Sequence, residues 1–243
     1  EEINQMGIWL EQIIAESTGK NGKGIIPVIN SEGNIKYPKI SINNKATRKI
    51  NSHNPDELII NLDKNTIFED MFIWQSSISI LCKYMSVYPF DEPDVAKSKI
   101  NTENLLKKHE DIQNVDIPDS DADINNMISD NKVNQVLYIN LYINETEKIN
   151  ESLSKLKGKL SLAHNINIIT GFGPRYLHSV GQLQKGGIKD VWSIFFYDEN
   201  LINPYSKKNN YKDLSDTFKA QMLGDFNALK ELEINAYLVN IDS

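Results

Sequence analysis

Asn-Ile-Asn-Ile-Ile-Thr-Gly-Phe-Gly-Pro-Arg-Tyr-Leu-His-Ser-Val-Gly-Gln-Leu-Gln-Lys-Gly-Gly, residues 165–187, packs a strand, a turn and a helix start into one short run. The apolar segment Ile166 to Ile169 suits a buried strand, and Gly171 and Gly173 break it into a turn. Pro174 fits the first position of a helix, where its missing N–H leaves no hydrogen bond unmade. Arg175, His178, Ser179, Gln182 and Lys185 follow as one polar cluster. A strand's carboxyl end feeding a helix's amino end is where α/β proteins bind anions, because free N–H groups and the helix dipole both favour negative charge. The same residues also suit a plain strand–turn–helix with polar surface side chains. The constellation alone does not separate the two readings.

Outward from this run, strand and helix patterns alternate. A strand spans Val136 to Tyr142, a helix Glu147 to Leu160, and a strand Val191 to Tyr197. A helix from Asp213 to Leu232 and a strand from Ala236 to Ile241 complete the series. Alternation of this kind implies a mostly parallel sheet covered on both faces, a three-layer α/β/α sandwich. Upstream, Leu58 to Leu62 suits a strand and Thr66 to Tyr88 a long helix. Phe68, Phe72, Ile73, Ile80, Leu81 and Met85 give that helix an apolar side. Trp74, Ile78 and Tyr84 make it apolar nearly all round, which predicts a place at the centre of the core. Cys82 within it reads as a packed small side chain. Residues 29–55 and 110–132 are polar and Asn-rich, and read as surface insertions in a single domain spanning 1–243. Asp119, Asp121, Asp123 and Asp130 mimic a calcium loop in outline. Ile124 replaces its turn glycine and Asp130 its bidentate glutamate, so a solvated acidic loop is the better reading.

Composition narrows the function classes. A net charge of −7 over 243 residues argues against nucleic acid as the main partner, which would need a basic face. No run approaches the roughly 18–20 apolar residues of a membrane span. The single cysteine forms no internal disulfide, so a cytoplasmic location is the default. His53, His109, His164 and His178 have no metal-ligand spacing, so no metal site is expected.

The chain opens without Met, inside an amphipathic helix marked by Ile3, Met6, Trp9, Leu10, Ile13 and Ile14, which reads as a piece of a longer protein. Gly19, Gly22 and Gly24, with Lys20 and Lys23, end that helix in a flexible, cationic loop. Its spacing is not that of a P-loop. Glu16 lies at the negative pole of the helix, where its pKa rises towards the range useful to a general base.

Three separated stretches together resemble phosphoglucose isomerase, most closely the isomerase half of the bacterial fused transaldolase–phosphoglucose isomerases. They are Gly-Ile-Trp-Leu-Glu-Gln-Ile-Ile-Ala-Glu-Ser-Thr-Gly-Lys-Asn-Gly-Lys-Gly (7–24), Tyr-Pro-Phe-Asp-Glu-Pro-Asp-Val-Ala-Lys-Ser-Lys (88–99) and the Gly-Phe-Gly-Pro-Arg-Tyr-Leu-His-Ser-Val-Gly-Gln-Leu-Gln-Lys-Gly-Gly run at 171–187. A fourth, Phe-Lys-Ala-Gln-Met-Leu-Gly-Asp-Phe-Asn-Ala-Leu (218–229), resembles the family's C-terminal helix.

The resemblance implies a sugar-isomerase (SIS) fold of which this chain is the second half. It also implies interconversion of glucose 6-phosphate and fructose 6-phosphate through a cis-enediol, without metal or other cofactor. By motif match Glu16 is the base that moves the proton between C2 and C1. His178 takes part in ring opening, reaching the site from a neighbouring subunit, and Lys99 assists at the ring oxygen or near the phosphate. Arg175, Gln182, Ser179 and Glu92 are implied substrate-binding residues. The partners implied are a sugar phosphate, an N-terminal SIS domain of the same parent chain and a second copy in a homodimer, with no nucleic acid and no membrane. Several positions depart from the family. The Ser/Thr-rich phosphate loop and an arginine upstream of Glu16 have no counterpart here. Glu92 stands where many relatives have Gln, and Gln184 where many have His. The alternative from another class is a non-catalytic SIS-type module that binds a sugar phosphate and regulates a partner.

Overall fold

The computed structural model describes residues 2–29, 39–44, 50–54, 57–62, 66–108, 112–118, 136–164, 166–202 and 212–241. At its centre is a four-stranded sheet made of β4 (Val136–Tyr142), β5 (Asn167–Phe172), β6 (Val191–Tyr197) and β7 (Asn235–Asn240). The spatial order is β5-β4-β6-β7, and every pairing is parallel. Val136 aligns with Asn167 on one side and Val191 on the other, so β4 is the shared central strand.

Both faces of β4 are buried, as a parallel strand requires. Val136, Tyr138 and Tyr142 point into one cluster, with Phe195, Leu177, Leu183, Met222 and Phe226. Leu137, Ile139 and Leu141 point into the other, with Ile168, Ile194 and Trp192. Helix α4 (Glu147–His164) covers this second face through Ile149, Leu153, Leu156 and Leu160. The first face is covered by α1 (Glu2–Thr18), α3 (Pro93–Lys108), α5 (Gly181–Gly186) and α7 (Lys212–Glu231). The three-layer α/β/α architecture is therefore present. One polar knot sits inside it: Asn140 Nδ2 and Gln184 Nε2 both donate to Ser193 Oγ, each at 2.9 Å. Gln184 is thus part of the core.

Three details differ from the sequence reading. Helix α2 (Ile67–Met85) does not lie at the centre of the core. Trp74 and Met71 pack on Met6 and Leu10 of α1, while Ile78 and Cys82 pack on Ile13 and Ile14. Phe68 and Tyr84 are more than 80% exposed. Among the described residues α2 packs chiefly on α1, so its remaining apolar side chains stay exposed. Within 29–55, read as a surface excursion, residues 39–44 and 50–54 are strands that pair with the strand expected at 58–62. They form a second sheet of β1 (Lys39–Asn44), β2 (Ile50–Asn54) and β3 (Glu57–Leu62), with β1 parallel and β2 antiparallel to β3. Within 110–132, a 3-10 turn at Ile112–Asn114 buries Ile112, and Val115 and Ile117 pack on the first-face core. The calcium-like stretch 119–130 lies outside the described residues.

The sheet order also contains a topological switch. The chain leaves β4 for α4 on one face and leaves β6, through α6 (Glu199–Ile202), for α7 on the other. A cavity of about 810 Å³ opens there, at the carboxyl ends of the strands, lined by Ile143, Phe172, Arg175, Leu201, Leu214 and Phe218 among others. Crevices of this kind are the usual ligand positions of open parallel sheets. Neither Glu16, Glu92, Lys99 nor His178 lines it.

Candidate functional site

Glu16 occupies the last turn of α1. The chain beyond that helix is a tied turn instead of a flexible loop. Asn21 and Gly22 both adopt positive φ, 58° and 74°, and reverse the chain so that Lys20 N–H bonds Lys23 carbonyl at 3.0 Å. Thr18 Oγ donates to Ile14 carbonyl at 2.7 Å and accepts from Ile25 N–H at 3.0 Å. Lys20 is buried, its Nζ donating to Tyr88 carbonyl at 2.7 Å and facing Asp91 Oδ1 at 3.3 Å. Carbonyls at helix ends are short of donors; Lys20 Nζ also reaches Ser17 carbonyl in the last turn of α1 at 3.4 Å, and Lys23 Nζ donates to Met85 carbonyl, the last of α2, at 2.7 Å.

Three elements converge on the end of α1. Gly22 N–H bonds Gly186 carbonyl at 2.9 Å. Gln182, on α5, is 0% exposed; its Nε2 donates to Gly19 carbonyl at 2.8 Å and to Asp94 Oδ2 at 2.6 Å, and its Oε1 accepts from Asp94 N–H at 3.1 Å. This one amide fastens the end of α1 to the start of α3. The close approach needs glycine: a Cβ on Gly19 would collide with Leu183 and with Ala15 carbonyl, and one on Gly186 with Asp94 Oδ2 and Gly19 carbonyl. Gln182→Ala leaves Gly19 carbonyl and Asp94 without their partner. We expect a loss of about 2–3 kcal/mol, read as a lower urea midpoint.

The consequence is that Glu92, just before α3, acts electrostatically on Glu16. The Glu16 carboxyl is pushed up to about 7, first by burial, next by the charge of Glu92, and is held back by Gln12 and Lys20. Gln12 Nε2 lies 3.4 Å from both Glu16 oxygens. Between pH 4.5 and about 7 the folded chain therefore keeps a proton that the unfolded chain has released. Stability contributed at this position falls as pH rises through that window and stays reduced above it. Glu16→Gln removes the effect. The variant should match wild type near pH 4 and exceed it by about 2 kcal/mol at pH 8 in urea titrations, after discounting for solvent screening.

The polar cluster of 175–185 is divided by the fold. Pro174 follows a cis peptide and precedes a 3-10 turn, Arg175–His178, so α5 starts later, at Gly181. Arg175 is exposed and pairs with Glu145 at 3.0 Å. His178 is exposed, and Ser179 Oγ donates to Tyr176 carbonyl at 3.1 Å. Lys185 turns inward. Its Nζ meets Asp225 Oδ1 at 2.6 Å, and both side chains are 0% exposed. Ser98 Oγ donates to the same oxygen at 2.8 Å, and Tyr176 Oη donates to Oδ2. Burial, then Asp225, pushes the Tyr176 phenol well above its ordinary value. Lys99, one residue beyond Ser98, is exposed.

Of the residues singled out from the sequence, the fold thus brings Glu16, Glu92 and Gln182 together. Lys99, His178 and Arg175 are at the surface, and the charges acting on Glu16 are those of Glu92 and Lys20. Asp94, Asp91 and Asp225 were not singled out; each works through a partner at least 40 residues away, which no local pattern reveals. A second raised carboxyl, Glu11, was also missed: burial lifts it to about 7 against the opposing charge of Lys157. Among the described residues no group of three or more His, Cys, Asp or Glu is placed to hold a metal ion. Nor is any helix among them long and apolar enough to cross a membrane. Comparisons with protein-family models, curated proteins and solved structures find no match for this chain.

Proposed function

We propose that the chain is the C-terminal catalytic half of a glucose-6-phosphate isomerase, interconverting glucose 6-phosphate and fructose 6-phosphate by proton transfer through a cis-enediol. The observation that carries this reading is Glu16: a carboxyl raised to about 7, set where the 7–24, 88–99 and 171–187 stretches meet. Moving a carbon-bound proton at neutral pH needs a desolvated carboxylate whose affinity for protons is near that of the medium. Glu16 has that character. His178, at the surface, serves the site of a second copy in a homodimer, and Lys99 assists at the ring oxygen or near the phosphate, whose grip lies in the N-terminal SIS domain. The location is cytoplasmic and no cofactor takes part.

The test is a dehydrogenase-coupled assay of fructose 6-phosphate conversion on the full-length protein and on this chain alone. The reading predicts turnover in the full-length protein and little in the chain alone. A silent full-length protein that still binds the sugar phosphate would replace it with the regulatory binding module.

A further inference from the structure

Helix α2 turns one side to α1 and leaves the other bare. Trp74, Ile78, Cys82 and Met85 pack inward, so at 3.6 residues per turn the outward side centres on Ser76. On that side Phe68 is 83% exposed, Phe72 69%, Ile80 59% and Tyr84 84%. At about 150–250 Å² for a whole aromatic side chain, Phe68, Phe72 and Tyr84 alone leave roughly 350–600 Å² open. That already equals the largest apolar patch of a typical monomer. Ile73, Ile80 and Leu81 extend it towards the roughly 800 Å² per partner of a standard interface.

The residues on this side are arranged symmetrically about Ser76. Phe72 and Ile80 lie four positions to either side of it, Glu69 and Lys83 seven, Phe68 and Tyr84 eight. Large side chains flank a small one, and a carboxylate at one end answers an ammonium at the other. Glu69 and Lys83 are both exposed, and neither enters an ion pair among the described residues.

We propose that the outer side of α2 docks a second copy of this chain, the two helices running antiparallel across a two-fold axis at Ser76. A two-fold axis sets a patch against itself, so a residue some distance before Ser76 meets the one equally far after it in the other copy. Phe72 then packs on Ile80, Phe68 on Tyr84, and Glu69 pairs with Lys83, each contact occurring twice. Ser76 has little bulk, which lets the helix axes approach to about 8–10 Å. A parallel pairing would set Glu69 beside Glu69 and Lys83 beside Lys83, so the charges select the antiparallel one. That arrangement also opposes the two helix dipoles favourably. A face built for an unrelated protein has no need of this symmetry. The inference gives an interface to the second copy of the isomerase reading, but it stands on the helix face alone.

The experiment is sedimentation equilibrium of the full-length protein and its variants, at low and at high salt. Wild type should be a dimer. Glu69→Lys and Lys83→Glu each turn two attractions into two repulsions. Each should raise the dissociation constant at least about tenfold at low salt, and less at high salt. The two changes together should restore wild-type affinity, which a folding defect would not imitate. Phe72→Asp should raise the constant about 10²-fold or more, as expected of a central aromatic anchor. Ser76→Cys, once oxidised, should link two copies, because residues on the axis come within the Cα reach of a disulfide, about 4.4–6.8 Å. Ser152→Cys, exposed on α4, should not. A monomeric wild type overturns the proposal and gives the face to another segment or protein. So does a dimer that ignores both charge changes and leaves Ser76→Cys unlinked, since its copies meet elsewhere. The coupled assay on the same samples keeps the isomerase reading separate. Turnover by such a dimer leaves that reading standing, and silence from a dimer joined through α2 overturns that reading alone.

Discussion

Glu16→Gln should reduce turnover of fructose 6-phosphate in the full-length protein by about 10²–10⁴-fold, the range found when a positioned general base is lost. Sugar-phosphate affinity should change little, because the glutamine is isosteric and the site around it is held by other residues. Gln182 keeps the end of α1 on α3, and Lys23 keeps the following turn on the end of α2. The pair of measurements is kcat from the coupled assay and Kd from calorimetry. Equal turnover in the variant would remove Glu16 from the chemistry. Loss of both turnover and binding would assign it to substrate holding instead.

The largest loss of stability should come from Lys185→Met. This change leaves the Asp225 carboxylate fully buried with two neutral donors among the described residues, the hydroxyls of Ser98 and Tyr176. Breaking one side of a buried pair costs about 3–5 kcal/mol, because the remaining charge keeps its desolvation penalty and loses its compensation. At roughly 2–4 °C per kcal/mol for a chain of this size, the melting temperature should drop by about 6–20 °C. Tyr176→Phe removes one donor and leaves the ion pair, so about 1–2 kcal/mol is expected. Thermal and urea unfolding of both variants checks the ranking. A Lys185→Met protein as stable as Tyr176→Phe would mean that the Lys185–Asp225 pair contributes no more than one neutral hydrogen bond.

The second half of the chain was legible in the sequence because each of its elements carries its own period. Val136 to Tyr142 is apolar on both sides and is a central parallel strand; the helix and strand ends around it shift by only a few residues. The strands at 39–54 were hidden because Asn and Ser fill positions where strands usually carry branched or aromatic residues. Helix α2 misled in the opposite sense. Its aromatic residues are plain in the sequence, but which of them face α1 depends on partners more than 60 residues away. At the site, Glu16 could be found from its position at a helix end. The amide of Gln182 could not be assigned its task, since Gly19 lies 163 residues before it and Asp94 88 residues before it. Residues that bond across such distances leave no spacing to read.

The order β5-β4-β6-β7 bears on how the chain reaches its fold. No two neighbours in this sheet are joined by a hairpin, so every ladder closes across a helix. Val136 finds Asn167 31 residues later and Val191 55 residues later. Until both arrive, β4 is an apolar ribbon with two open edges. Closing such loops is costly in entropy before any contact repays it, and assembly is correspondingly slow. Refolding from urea should therefore run in milliseconds to seconds, through compact states that expose the β4 edges and associate at high protein concentration. Low concentration during refolding, or translation that releases the strands in order, is the route by which this topology is best reached.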